Sequence, residues 1–229
     1  MENYKVGLVG IGRLGSALMK QWDQQQLDIG VYHPTKEKSE TFINQFQNGY
    51  ILEKKDLAEI NILILALSGK DISPFLENLR SEGLDLTKVM LVNMATALNS
   101  KEIISAFPQL TVFGVKFMGH ARDLFEHGEA LFISETPLPG PIEELFQKLG
   151  QIMIDEEDRL VQVNKLATFY AAKAAIEIEA IFAEKGLSAE YVKRALTSIA
   201  PEVIRSYSNG SLGHFAKEIV KEIQLSKSK

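Results

Sequence analysis

The run Ile60–Leu67, INILILAL, is apolar at every position but Asn61. A strand apolar on both faces has no solvent side, so it belongs inside a parallel sheet with helices on both faces. The run is also far too short to span a bilayer. Around it the chain alternates short apolar runs with helical patterns, which is how a mainly parallel α/β sheet is written. Strands are predicted over Lys5–Val9, Leu27–Tyr32, Tyr50–Leu52, Val89–Met94, Thr111–Val115, Ala130–Ser134 and Gln151–Ile154. Helices are predicted over residues 13–26, Lys36–Gln47, Ser100–Ala106 and Pro141–Leu149. Another is expected to start at Ser73-Pro74, as N-cap and first helical position, and to stop at Gly83.

The pattern changes after Asp155-Glu156-Glu157-Asp158. From Arg159 to Lys185 there is no proline or glycine, and apolar residues surround the helix instead of forming one stripe. Such a helix is buried, here against another subunit, and Gly186 is its natural stop. Further helices are expected over Ser188–Ile199, over Glu202–Tyr207 after Pro201, and over Ser211–Gln224. The expected division is therefore a Rossmann-like domain over residues 1–155 and an all-α dimerisation domain over 156–229. A total of 229 residues suits this arrangement, being long for one minimal domain and short for two full ones.

Composition narrows the function. The chain has no cysteine, which excludes disulfides, thiolate metal sites and cysteine nucleophiles. A formal net charge of −5 argues against nucleic-acid and anionic-membrane partners. The N-terminus lacks the basic and apolar regions of a secretory signal, so a soluble cytoplasmic protein is expected. The four histidines form no H-x-x-x-H pair, and no metal is expected.

Gly10-Ile11-Gly12-Arg13-Leu14-Gly15 is G-x-G-x-x-G between the first predicted strand and helix. Gly10 makes the tight turn, Gly12 lets backbone approach a pyrophosphate, and Gly15 permits close helix–sheet packing. Backbone N–H groups and the helix dipole supply the anion site. An NAD site would carry Asp or Glu at the end of the second strand, to hold the ribose 2′-hydroxyl. Here Tyr32-His33-Pro34-Thr35-Lys36 stands there, and Asp28 comes too early. Thr35, Lys36 and His33 would instead contact a 2′-phosphate, favouring NADP; the alternative is a solvated polar loop.

With these residues in hand, the sequence resembles the pyrroline-5-carboxylate reductase family, within the NADP-dependent enzymes of six-phosphogluconate-dehydrogenase-like architecture. The likeness runs through residues 7–18, the strand Ile60–Leu67, Val115-Lys116-Phe117-Met118-Gly119-His120-Ala121 with Gly128-Glu129, and residues 145–156. It implies a nicotinamide over Ala66-Leu67-Ser68 and Asn93-Met94-Ala95, hydride transfer from NADPH to a cyclic imine, and a dimer through the C-terminal helices. Several motifs differ. Ser68-Gly69-Lys70-Asp71 stands where the family has Lys-Pro-Gln, and Met118-Gly119-His120 replaces Met-Pro-Asn. Of the Ser-Gly-Ser-Gly-Pro-Ala-Tyr motif only Tyr170 persists. The chain also reaches its end near Leu225, where the family's substrate loop would begin.

The expected substrate is thus a small imine or carbonyl, and a reductase must polarise or protonate it. His120 and Lys116 lie just past a predicted strand, where open-sheet ligands collect. His120 would donate a proton near neutral pH, or be a surface loop histidine. Lys116 would act beside it, or be a solvated loop lysine. Tyr170 and Lys173 share a helix face, where the lysine would lower the tyrosine pKa; the alternative is an interface tyrosine. A non-catalytic NADP-binding sensor is the competing function.

Overall fold

In the computed structural model, which describes residues 4–227, β4 (Ile62–Leu65) is buried at all four positions. It lies between β1 (Val6–Val9) and β5 (Met90–Asn93). With β2 (Ile29–Tyr32), β3 (Gly49–Ile51) and β6 (Thr111–Gly114), these strands form one sheet in the order β3-β2-β1-β4-β5-β6. Every pairing in it is parallel. The two-residue period of a strand is visible in the core. Ile62 and Ile64 enter one hydrophobic cluster with Leu8, Leu18 and Trp22, while Leu63 and Leu65 enter another with Ile72, Leu76 and Leu79. The Rossmann-like architecture with helices on both faces is as the sequence implied. The crossover from β3 to β4 reverses the direction of strand addition at β1, and that reversal is where such sheets open a ligand crevice.

The flanking helices of this sheet are α1 (Arg13–Gln24), α2 (Lys36–Ile43), α3 (Gly69–Ser81) and α4 (Ser100–Ala106). Helix α3 starts earlier than Ser73: Ser68 is its N-cap and Pro74 lies inside it. Its buried residues explain the shift. Ile72, Leu76 and Leu79 follow helical spacing, and burying Ile72 in register with the others requires the helix to include it.

A second sheet holds β7 (Lys116–Phe117), β8 (Ala130–Ser134) and β9 (Gly150–Ile154). Its β7–β8 pairing is antiparallel and its β8–β9 pairing parallel. Strand β7 and helix α5 (Ala121–His127) fall where the sequence suggested loop. Helix α5 is seated on α1: Gln21 donates to the Leu124 carbonyl at 2.8 Å and Lys20 to that of Phe125 at 2.6 Å. Helix α6 (Gly140–Gln147) follows, and the Trp22 indole donates to the Leu145 carbonyl at 3.1 Å.

The chain falls into two compact units, one ending at Asn164 and the other beginning at Lys165. Helix α7 (Glu157–Glu184) closes with Gly186 at φ +67°. The bonds from Gly186 N–H to Ala183 and from Leu187 N–H to Phe182 form a Schellman stop. Next come α8 (Ala189–Arg194), a π-helical turn (Ala195–Ile199) and α9 (Ala200–Ser208) in direct succession, so the expected break at Pro201 is absent. Proline cannot donate to the helical ladder, and the chain widens just before it: Ala200 N–H bonds the carbonyl of Ala195, five residues back. Helix α10 (His214–Lys227) is the last. Among the described residues no helix is long and apolar enough to cross a membrane.

Candidate nucleotide site

The Gly10–Gly15 turn links β1 to α1 at the carboxyl edge of the sheet. Gly10 has φ +104°, and a Cβ there would strike the Ala66 carbonyl. A Cβ on Gly15 would strike the Gly10 carbonyl, so these two glycines close the turn against the next loop and the helix. Gly12 differs: a Cβ there meets only open space. It is also the N-cap of α1, with no capping side chain and no acid in the first turn. The open concavity at a helix N-terminus fits an anion approaching the backbone. Ile11, Arg13 and Leu14 complete the turn.

After β2, His33 Nδ1 accepts from the Thr35 N–H at 2.9 Å, folding the loop back on itself, and Thr35 becomes the N-cap of α2. Lys36 is exposed, with Nζ 3.9 Å from Glu40. An exposed pair at that distance is weak, so Lys36 is available to a stronger anion. No carboxylate occurs between Tyr32 and Lys36.

The loops after β4 and β5 differ in character. Ala66 and Leu67 are half-buried and Ser68 is exposed at the head of α3. Asn93, Met94 and Ala95 are all buried, with Met94 in the core. The Asn93 amide donates to the Leu98 carbonyl at 2.9 Å and to Ser100 Oγ at 3.0 Å, and its oxygen accepts from Ala95 N–H at 3.0 Å. Asn93 is therefore a brace for the Thr96–Asn99 loop.

Lys116 corrects the solvated-loop alternative. It lies on β7 with 1% of its side chain exposed. Its Nζ donates to the Ala95 carbonyl at 2.7 Å and the Leu98 carbonyl at 2.9 Å, and lies 3.4 Å from Glu157. Burial pushes the Lys116 ammonium down to about 8, against the opposing pull of Glu157. Glu157, buried at the start of α7, also accepts from Ser100 N–H at 3.0 Å. A Cβ on Gly114 would collide with both Glu157 and Ser100, so the residue before Val115 must be small. Asn93, Ser100, Lys116 and Glu157 together tie the loop after β5 to β7 and α7. The local sequence around Lys116 carries no sign of Glu157, which lies far along the chain.

His120 is exposed and is the N-cap of α5, accepting from Arg122 N–H at 3.3 Å. Tyr170 and Lys173 belong to the second unit. Tyr170 is exposed and meets Phe169 edge-on at 5.3 Å, and Lys173 lies 3.7 Å from Glu177. Beside the glycine turn, a cavity of about 390 Å³ runs between Gly12, Arg13 and Ser16 on one side and Arg122 and Phe125 on the other. Arg122 escaped the sequence reading because α5 did.

The sheet order and the glycine turn define a Rossmann-like α/β fold, followed in the chain by a helical region. Residues 5–96 match the family model described as NADP oxidoreductase, coenzyme F420-dependent. No curated protein matches the chain. Among solved structures, the fold is similar to a pyrroline-5-carboxylate reductase from Coxiella burnetii, with a TM-score of 0.70 and 11% identity, covering 96% of this chain and 84% of that one. It is also similar to an imine reductase from Myxococcus stipitatus in complex with NADP+, at TM-score 0.64 and 16% identity over 90% and 78% of the two chains. A reductive aminase from Aspergillus terreus in complex with NADPH gives 0.60 and 17%, over 91% and 78%.

Proposed function

We propose that the chain is an NADP-dependent oxidoreductase resembling pyrroline-5-carboxylate reductase, acting on a small imine or carbonyl. The observation that carries this reading is the open backbone at Gly12, at the sheet's switch point, beside a β2 loop that offers His33, Thr35 and Lys36 and no acid. The backbone of Gly10, Ile11, Gly12, Arg13, Leu14 and Gly15 would hold the pyrophosphate. His33, Thr35 and Lys36 would hold the 2′-phosphate. Ala66, Leu67, Ser68 and the Asn93-Met94-Ala95 backbone would border the nicotinamide, which when bound supplies the hydride.

The remaining task for the protein is to orient the substrate and move a proton. His120, with Nδ1 accepting from the Arg122 N–H, keeps Nε2–H as the hydrogen-bond donor that would polarise the substrate. Lys116 fixes the Ala95 carbonyl and contributes through the position of that loop. Tyr170 and Lys173 are the candidates from the helical region. We assign residues 1–155 to nucleotide binding and 156–229 to a homodimer interface in a cytoplasmic protein, with no nucleic-acid or membrane partner.

The test is titration with NADPH and NADH, followed by turnover on a panel of imines and ketones. NADPH should bind about 10- to 150-fold more tightly, the range of one charged hydrogen bond. Failure to bind either nucleotide would refute the assignment. Binding without turnover favours a second reading, an NADP sensor without catalysis. The engagement of Lys116 with two carbonyls and Glu157 supports that reading, since it occupies one of the four candidate groups.

A further inference from the structure

The cavity beside the glycine turn has two arginines in its lining, Arg13 on α1 and Arg122 on α5, and no acidic residue. Its volume of about 390 Å³ is on the scale of a small-ligand pocket. Arg122 Nε donates to Glu126 at 2.7 Å, which orients the guanidinium and leaves its other N–H donors. The wall that carries it is firmly placed, because α5 is bonded to α1 through Gln21 and Lys20. Lys20 adds a third cation behind Phe125, with Nζ 4.2 Å from the ring centroid. Lining a cavity with two guanidinium groups and no carboxylate gives a fold nothing by itself. It suits a ligand carrying more than one negative charge, and arginine's planar fork matches phosphate oxygens.

The same cavity is bounded by Gly12, where the backbone is open to an anion. We propose that Arg13 and Arg122 clamp the diphosphate bridge of the bound dinucleotide, making Arg122 a cofactor-binding residue contributed by a different element from the glycine turn. The inference rests on the dinucleotide reading above. It differs from the role of Lys36 in one respect. The diphosphate is common to NADPH and NADH, so Arg122 contributes equally to both, whereas a 2′-phosphate contact separates them.

The experiment is to titrate wild type, Arg122→Ala, Arg122→Lys and Arg13→Ala with NADPH and with NADH, using circular dichroism to establish folding. Arg122 is exposed, so these variants are expected to fold. Arg122→Ala should weaken both nucleotides by a similar factor, about 10- to 150-fold, the range of a charged hydrogen bond. Arg122→Lys should fall between, retaining charge and losing the fork. Wild-type affinity in both alanine variants overturns the clamp and leaves the nucleotide assignment standing. Loss of NADPH alone also overturns it, moving Arg122 to the 2′-phosphate. A wild-type protein that binds neither nucleotide overturns the clamp together with the reading it rests on.

Discussion

The two units dispose of their apolar residues in opposite ways. In the first, the strands and helices around Leu8, Leu18, Ile64 and Leu91 bury them completely. In the second, Leu166, Phe169, Ile176, Ile204 and Phe215 are exposed, and Ala195 alone among its described apolar residues is buried. Helices with apolar residues on every side and few buried positions need another surface. The first unit is a finished core. The second is a set of helices that a second copy of the chain would complete, which is the dimer proposed from the sequence.

The largest effect should come from that unfinished surface. Wild type should be a dimer by light scattering at micromolar concentration. Phe169→Asp with Ile176→Glu would place unpaired carboxylates in the interface and weaken the dimer by about a hundredfold or more. A wild-type monomer would break the comparison, since the apolar helices would then stand alone.

The next effect belongs to the finished core. Lys116→Met removes the cation from buried Glu157 and the donor to Ala95 and Leu98, and should cost about 3–5 kcal/mol in a urea titration. A loss under 1 kcal/mol would mean the clasp is not structural. The pH dependence has a definite sign. The folded-state pKa of Lys116 is lowered to about 8 from 10.5, so across that window the unfolded chain binds more protons than the folded one. The contribution of Lys116 to stability therefore rises as pH climbs from about 8 towards 10.5. The stability gap between wild type and Lys116→Met should widen over that range, and a constant or narrowing gap would contradict the lowered pKa.

What could be seen in the sequence divides along similar lines. The Ile60–Leu67 run, the glycine turn and the Gly186 stop were legible because each is a local rule: apolar periodicity, backbone freedom and a left-handed cap. Helix α5 was not, because it is short, is capped by a histidine and buries only Leu124. Pro201 was read as a break because the π turn that accommodates it has no sequence signature. The burial of Lys116, against the solvated-loop alternative, was hidden for a different reason. A lysine between Val115 and Phe117 becomes a buried clasp only through Glu157, Ala95 and Leu98, and such long-range partners leave no local pattern.

The smallest effect tests whether nucleotide choice belongs to the first unit alone. Lys36 is well exposed and its 3.9 Å pairing with Glu40 is weak, so Lys36→Ala should leave folding and dimerisation unchanged. NADPH affinity should fall about tenfold, as for one exposed charged contact, while NADH affinity stays as it was. Equal loss of both nucleotides would refute the 2′-phosphate role and move Lys36 into the general cofactor surface. The same two titrations on the Phe169→Asp, Ile176→Glu variant sharpen the contrast. If the finished core carries cofactor choice, the ratio of NADPH to NADH affinity should survive dissociation of the dimer. A ratio that collapses on dissociation would show that the second copy takes part in the choice.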